Sequence, residues 1–226
     1  LDMHYVVDVL SGNALFKGID PARIEYLISL CRYNMLSLSA DTIISSENEP
    51  CKSMGFVLDG KVSNCKTSPS GSNVVVKTMV KGEYFAEALV FSSSGECPST
   101  IVAEKNSTVL MISAKDVLII CEEEPVFLRN LLVSLSDKVF MLNKKIRLLS
   151  YPSVRQRLAS FLLDEMHKHH SSKLTLDKTR EELSEYIGVA RPSVSRELSK
   201  MAEDGLISVS RRSIEILDAE ALSSIL

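Results

Sequence analysis

No apolar run in this sequence approaches the roughly 20 residues a helix needs to cross a bilayer, and the opening stretch Leu1 to Leu10 carries Asp2, His4 and Asp8. A membrane span and a secretory leader are therefore not expected, and a soluble chain of the cytoplasm is. Positive charge is not in excess either, since 26 Lys and Arg stand against 29 Asp and Glu for a net charge of -3. The chain as a whole has no pull toward polyanions, so any surface for nucleic acid has to be a local patch. Five cysteines, Cys31, Cys51, Cys65, Cys97 and Cys121, are odd in number, widely scattered and without a CxxC pair. They make no disulfide framework and suit a reducing compartment, where cysteine serves as an ordinary apolar residue. Internal repeats and low-complexity segments are also missing.

What is present is a globular composition: 226 residues, 45% apolar and 24% charged, enough to bury a core in two modest domains. To about Leu38 the pattern reads as short helices, with Asp20 or Pro21 opening one and Ile24, Leu27, Ile28, Leu30 and Cys31 at helical spacing. From there to about Ile112, short runs rich in Val, Ile and Thr alternate with turn signals, among them Asp59-Gly60, Ser68-Pro69-Ser70-Gly71 and Lys81-Gly82. Several short strands at this spacing predict a small all-β sandwich or barrel.

After Ala114 a helical period returns. Leu128, Leu132, Leu135, Val139, Leu142, Ile146 and Leu149 then alternate steps of four and three, leaving Lys138, Lys144, Lys145 and Arg147 off the seam. Such a heptad stripe wants a partner helix, either its own copy about a two-fold axis or the chain's own barrel, on different faces if both. Tyr151-Pro152 interrupts the period and marks the expected hinge and domain boundary. Val154, Leu158, Phe161, Leu162 and Met166 outline one more amphipathic helix, ending in the polar stretch from Lys168 to Lys173.

The stretch from Thr179 to Ile216 carries the most chemistry. Thr179 and Glu182 have capping-box spacing and start a helix that runs to Tyr186 or Ile187. Gly188 turns the chain, Val189 plugs the corner, and Pro192 suits the first position of a second helix. On that helix Val194, Leu198 and Met201 share an apolar face, which frees Arg191, Ser193, Ser195, Arg196 and Lys200 for solvent or DNA. Arginine can grip guanine O6 and N7 with two parallel donors, while Ser and Lys hold phosphates. Beyond Gly205, two short runs form a hairpin wing with Arg211-Arg212 at its tip, placed to touch backbone. The competing reading is a solvated helical hairpin with incidental arginines.

In its order of elements, its Thr-Arg-x-Glu-Leu start at Thr179, its Gly-Val-Ala-Arg turn at Gly188 and its Ser-Val-Ser-Arg-Glu-Leu core at Ser193, this segment resembles the winged helix-turn-helix of the Crp/Fnr family. With the barrel and the seam helix, the resemblance covers nearly the whole chain. It implies an α+β architecture: a double-stranded β-helix (jelly-roll) sensor domain with N-terminal helices over 1–124, a dimerisation helix over 125–150 and a winged helix-turn-helix over 151–226. It implies a bacterial homodimer that reads a pseudo-palindromic double-stranded operator with half-sites about one helical turn apart and contacts RNA polymerase. The DNA-facing set is then Thr179, Arg180, Arg191, Ser193, Ser195, Arg196, Lys200, Arg211 and Arg212. Many family members place at position 192 a Glu that accepts from cytosine; Pro192 has no such acceptor, so the operator is expected to differ at that base pair.

By the same resemblance, Gly82 to Ala88 occupies the family's phosphate-binding cassette, and Glu87 matches the acid that holds a ribose hydroxyl. Ten residues on, where the arginine that neutralises a cyclic phosphate belongs, stands Cys97, followed by Pro98 and with no Arg nearby. An uncompensated buried phosphate is costly, so cyclic AMP and cyclic GMP are not the expected effectors. The family's cyclic AMP-binding members read adenine from positions that fall here on Leu142 and Asn143, so a polar reader has become apolar. Glu87 is then either a ligand group or a structural carboxylate. An apolar or aromatic small molecule is expected instead, in a pocket drawn from Tyr84, Phe85, Glu87, Ser99, Leu131, Leu135 and Leu142 with Val90, Phe91 and Met111; most of these side chains would equally serve a barrel core. No other cofactor or metal is expected: the family's iron-sulfur branch needs a close cysteine cluster before Cys31, haem would have to use His4 or Met3, and His167, His169 and His170 read as a polar helix end. An enzyme of cupin type is excluded because no histidine lies between Leu38 and Ile112. The alternative of another class is a cyclic-nucleotide-binding module that does not read DNA, in which Arg191 to Arg196 would be idle.

Overall fold

The computed structural model describes residues 2–67, 73–211 and 213–226, so the Ser68-Pro69-Ser70-Gly71 turn and Arg212 lie outside the described residues. The chain divides into two compact units, Leu1–Asp137 and Lys138–Leu226.

The first unit opens with α1 (Met3–Ser11), a 3-10 turn at Ala14–Phe16 and α2 (Pro21–Ser29). Asp20 caps α2 by accepting from the Ala22 N–H at 2.9 Å, with Pro21 just inside the helix. The helical reading to Leu38 overshoots: β1 (Tyr33–Leu38) is already a strand, because its backbone pairs along its whole length with Ser107 to Ile112. The remaining strands are β2 (Ile43–Ser45), β3 (Ser53–Asp59), β4 (Lys61–Thr67), β5 (Asn73–Val80), β6 (Tyr84–Phe85), β7 (Thr100–Ala103) and β8 (Ser107–Ser113). They form two four-stranded antiparallel sheets, β1-β8-β3-β6 and β2-β7-β4-β5, the arrangement of a jelly roll. Between the sheets lie Val57, Val62, Met79, Phe85, Ile101 and Val109.

α3 (Ala114–Glu123) and α4 (Pro125–Ser150) follow. A second core of this unit packs α1, α2, α3 and the start of α4 against the barrel, centred on Phe16, whose ring lies 5.8 Å from that of Phe56 and 4.9 Å from that of Phe127. Asn13, buried, donates to the Gly82 carbonyl at 2.7 Å, and Asn130 donates to the Leu15 and Lys17 carbonyls at 3.0 and 2.9 Å. These bonds satisfy backbone oxygens that leave regular structure at the corners.

In the second unit α5 (Val154–His169), β9 (Lys173–Thr175), α6 (Arg180–Ile187), α7 (Arg191–Glu203), β10 (Ile207–Ser210), β11 (Ser213–Ile216) and α8 (Ala219–Ser223) follow the end of α4. The three strands make a sheet in the order β10-β11-β9. Its core joins Leu148 to Leu158, Leu162, Leu183, Val194, Leu198, Met201 and Ile214.

α4 spans the residues expected for the dimerisation helix, yet the compact units part within it, after Asp137, and not at Tyr151-Pro152. Phe127 and Leu131 belong to the first core and Leu148 to the second. Pro152 does end the helix, but Arg157 ties that joint to its own unit: Nε donates to the Tyr151 carbonyl at 2.8 Å, Nη2 to Leu149 at 3.2 Å and Nη1 to Ile187 at 3.1 Å. No helix among the described residues is long and apolar enough to cross a membrane.

Candidate DNA-reading helix, seam and barrel cavity

Thr179 builds the start of α6. Its hydroxyl accepts from the Glu182 N–H at 3.2 Å and Glu182 returns the bond to the Thr179 N–H at 2.6 Å, the reciprocal capping expected from the spacing. Gly188 ends α6 in the left-handed region at φ 70, which turns the chain into α7. Pro192 sits second in α7, one place later than expected, because the helix already begins at Arg191. Ala190 at the N-cap lends no side-chain oxygen to the first N–H groups, which together with the helix dipole favour an anion.

Val194, Leu198 and Met201 are buried, and Arg191, Ser195, Arg196 and Lys200 are exposed on the other face, with Ser193 half-buried. Arg191 lies 3.7 Å from Glu181, an exposed pair of little strength that a phosphate or base can displace. Arg196 folds back, its Nε donating to the Pro192 carbonyl at 3.4 Å. Arg180 is placed differently from the rest of the set. It is half-buried in a groove of about 440 Å³ with Ser195, Leu198, Ser199, Ala202 and Val209, and its Nη1 has no hydrogen-bond partner. Burial depresses its pKa, yet guanidinium stays charged at neutral pH. Arg211 is exposed at the wing tip with φ 39, between strands whose register runs from Ile207↔Ile216 to Ser210↔Ser213; Arg212 lies outside the described residues.

Along α4 the seam is exposed: Leu132 55%, Val139 58%, Leu142 62% and Ile146 65%, with Leu128 and Leu149 also exposed. Leu135 departs from the other six, because it packs on the core of the first unit. Exposed Phe140 and Met141 widen the stripe. The helix therefore has one apolar face against its own barrel and another without cover in the single chain.

In the barrel, a cavity of about 190 Å³ is lined by Ile44, Ser45, Cys51, Phe85, Ala86, Ile101 and Met111, together with Pro50, Lys52 and Ser53. Of the residues expected there, Phe85 and Met111 line it. Tyr84 instead binds Ser134 through its hydroxyl at 2.6 Å, Leu131 and Leu135 are taken by the helical core, Ser99 is buried, Phe91 is exposed and Leu142 stands on the exposed seam. The sequence pattern named core-like side chains correctly as apolar, but only packing decides which of them meet at a void. Glu87 is buried, and its neighbour Ala86 is held at φ 66, strained for a residue with a side chain. Cys97, where the family's arginine would stand, is buried, with its Sγ 2.9 Å from Ser45 Oγ. Arg157 was absent from the sequence reading, and Cys51 entered it only as one of five scattered apolar cysteines; only a fold shows what Arg157 reaches, and a lone half-buried cysteine gives no spacing signal.

Comparison with known proteins places both units. Residues 35–124 match the model of the cyclic nucleotide-binding domain, and residues 156–225 match that of the Crp-like helix-turn-helix domain. The cyclic AMP receptor protein of Thermus thermophilus is 24% identical over 216 residues, 96% of this chain and 98% of that one. The probable transcriptional regulator flp of Lacticaseibacillus casei is 28% identical over 166 residues, 73% of this chain and 74% of the relative. The crystal structure of the Thermus thermophilus catabolite activator protein superposes with a TM-score of 0.56 at 24% identity, covering 94% of this chain and 98% of that one. The chain thus carries a cyclic nucleotide-binding domain followed by a Crp-like helix-turn-helix domain and is homologous to CRP/FNR-type DNA-binding transcriptional regulators.

Proposed function

We propose that the protein acts as a homodimer that binds a pseudo-palindromic double-stranded DNA operator and alters transcription through RNA polymerase, under control of a small molecule held in the barrel. The observation that carries this reading is α7 itself: its buried Val194, Leu198 and Met201 fix the helix, which leaves Arg191, Ser195, Arg196 and Lys200 together on the outer face. Arg191 and Arg196 read base edges, Ser193, Ser195 and Lys200 hold backbone, and the unpaired Nη1 of Arg180 takes a phosphate at the edge of its groove. Thr179 serves the same backbone through its capped helix start, and the wing touches an adjacent phosphate through Arg211 and Arg212.

The uncovered stripe from Leu128 to Leu149 supports dimerisation, since its six exposed apolar residues at heptad spacing gain most by meeting a copy. The effector is apolar or aromatic and not a cyclic nucleotide. Ile44, Phe85, Ala86, Ile101 and Met111 make up half of the cavity's lining, and its one basic lining residue among those described, Lys52, is exposed. A phosphate seated at Cys97 would lack the cation that offsets its desolvation. The chain acts through binding, without catalysis.

The test is an unbiased selection of binding sites from random duplexes, followed by affinity measurement on the selected operator. Arg196→Ala should weaken specific binding by about 1–3 kcal/mol, roughly 5- to 150-fold, and relax preference at one base pair of each half-site. A variant with unchanged affinity and footprint would remove Arg196 from the interface, and failure to select any sequence would remove the reading as a whole.

A further inference from the structure

Two thiols flank one short β-bridge beside the barrel cavity, and Cys51 lines that cavity. Pro50 and Glu96 form an antiparallel bridge, flanked by the Cys51 N–H donating to the Gly95 carbonyl at 2.6 Å and the Cys97 N–H donating to the Glu49 carbonyl at 2.8 Å. In that register Cys51 and Cys97 occupy diagonal positions on one face of the bridge. On that face Cys97 meets Ser45 across 2.9 Å, and Ser45 lines the cavity together with Cys51. Cys51 is half-buried and lines the cavity beside Ser45 and Phe85, so a small molecule that enters there meets its sulfur; Cys97 sits just behind and is buried. All five cysteines are free thiols, and this pair had no spacing in the sequence to announce it.

We infer that Cys51 and Cys97 are a modification site of the sensor domain, a dithiol that closes reversibly to a disulfide by exchange with a low-molecular-weight disulfide. The step balances as follows. The Cys51 thiolate attacks one sulfur of R–S–S–R, and the departing R–S⁻ takes up the proton Cys51 gave up. The Cys97 thiolate then displaces the second R–S⁻ from the Cys51 sulfur, and that group takes the proton from Cys97. One Cys51–Cys97 bond forms, two electrons pass to the reagent, and two R–SH leave. Burial and the neighbouring Cys97 push the Cys51 thiol up to about 12, so Cys51 stays protonated at neutral pH and exchanges slowly. It suits a response to the sustained thiol-disulfide balance more than to a brief burst of oxidant. The bond would tie the chain at residues 48–51 to that at 95–97, and the redox state would thus be written into the wall of the effector cavity.

The experiment equilibrates the full chain in glutathione buffers from reduced to oxidised, then quenches with acid, alkylates and counts free thiols by intact mass. The expected count falls from five to three in a single two-electron transition, and a non-reducing peptide map joins the peptide of Cys51 to that of Cys97. Oxidised protein should also unfold at a higher urea midpoint than reduced protein, because a closed loop restricts the unfolded chain. Cys51→Ser, at a half-buried position, and Cys97→Ser should each abolish the drop in thiols and the midpoint shift, whereas Cys31→Ser, Cys65→Ser and Cys121→Ser should each still lose two. Five thiols persisting in the most oxidised buffer, a bond to any other cysteine, a bond between two chains, or a stable glutathione adduct on Cys51 would each overturn the inference. None of these readouts uses DNA, so the outcome is independent of the proposed operator binding.

Discussion

Gly55→Ala puts the packing around the barrel cavity to a direct test. On backbone grounds the exchange should help, since alanine loses less conformational freedom on folding, worth about 0.4–1 kcal/mol at a compatible site. Gly55 lies in β3 opposite Phe85 of β6, and its φ lies outside the left-handed region. The contact reverses the sign. A Cβ at position 55 would sit 2.1 Å from Cζ of Phe85 and 2.4 and 2.5 Å from its two Cε atoms, so the ring cannot stay. Phe85 is buried between the two sheets and walls the cavity. Pushing the ring out forfeits about 1.5–3 kcal/mol of burial, and partial accommodation leaves overpacking strain of about 1–3 kcal/mol. Set against the backbone gain, the net expectation is a loss of about 0.5–2.5 kcal/mol, read as a lower urea midpoint with unchanged slope. The double-mutant cycle sharpens it: Phe85→Ala alone should cost about 3–5 kcal/mol, and adding Gly55→Ala to it should cost almost nothing more. A Gly55→Ala protein within about 0.5 kcal/mol of the parent, or additivity in the cycle, would refute this account of how the ring is held.

Three other expectations concern the remaining elements. Leu142→Glu combined with Ile146→Glu, both about two-thirds exposed in the single chain, should convert the dimer to a monomer in analytical ultracentrifugation while each unit stays folded by circular dichroism; a dimer of unchanged affinity would assign pairing to another surface. Gly188→Ala should cost about 1–2 kcal/mol, since φ 70 disfavours a side chain and its Cβ would stand 3.0 Å from Leu149 Cδ2, and a neutral result in thermal unfolding would contradict the geometry. Thr179→Ala removes the hydroxyl that accepts from Glu182 and should cost about 0.5–2 kcal/mol, checked by denaturation of the protein without DNA so that capping is separated from any backbone contact.

How much of this was legible in the residues varies with the range of the interaction. The capping box at Thr179, the turn at Gly188 and the buried face of Val194, Leu198 and Met201 were all readable, because each is a local rule with a fixed spacing. The seam was readable for the same reason, with Leu135 the one member that the first core claims for itself. Strand β1 was misread as helix because six residues carry a weak period, and pairing with β8 overrode it. β9 and α8 went unseen, being too short to repeat a period.

By itself, then, the order of residues determined two domains, the helix that joins them, the second helix of the helix-turn-helix with its exposed arginines, and the lack of an arginine at Cys97. Tertiary structure alone decided that the units part inside α4, that Arg157 clamps the end of that helix, that Arg180 lies half-buried with an unpaired donor, and that Cys51 and Cys97 flank one β-bridge. The physical reason is the same in each case. Helix faces and caps depend on neighbours three or four places away, whereas a cavity, a clamp or a pair of thiols depends on which distant segments the packed sheets bring within a few ångströms.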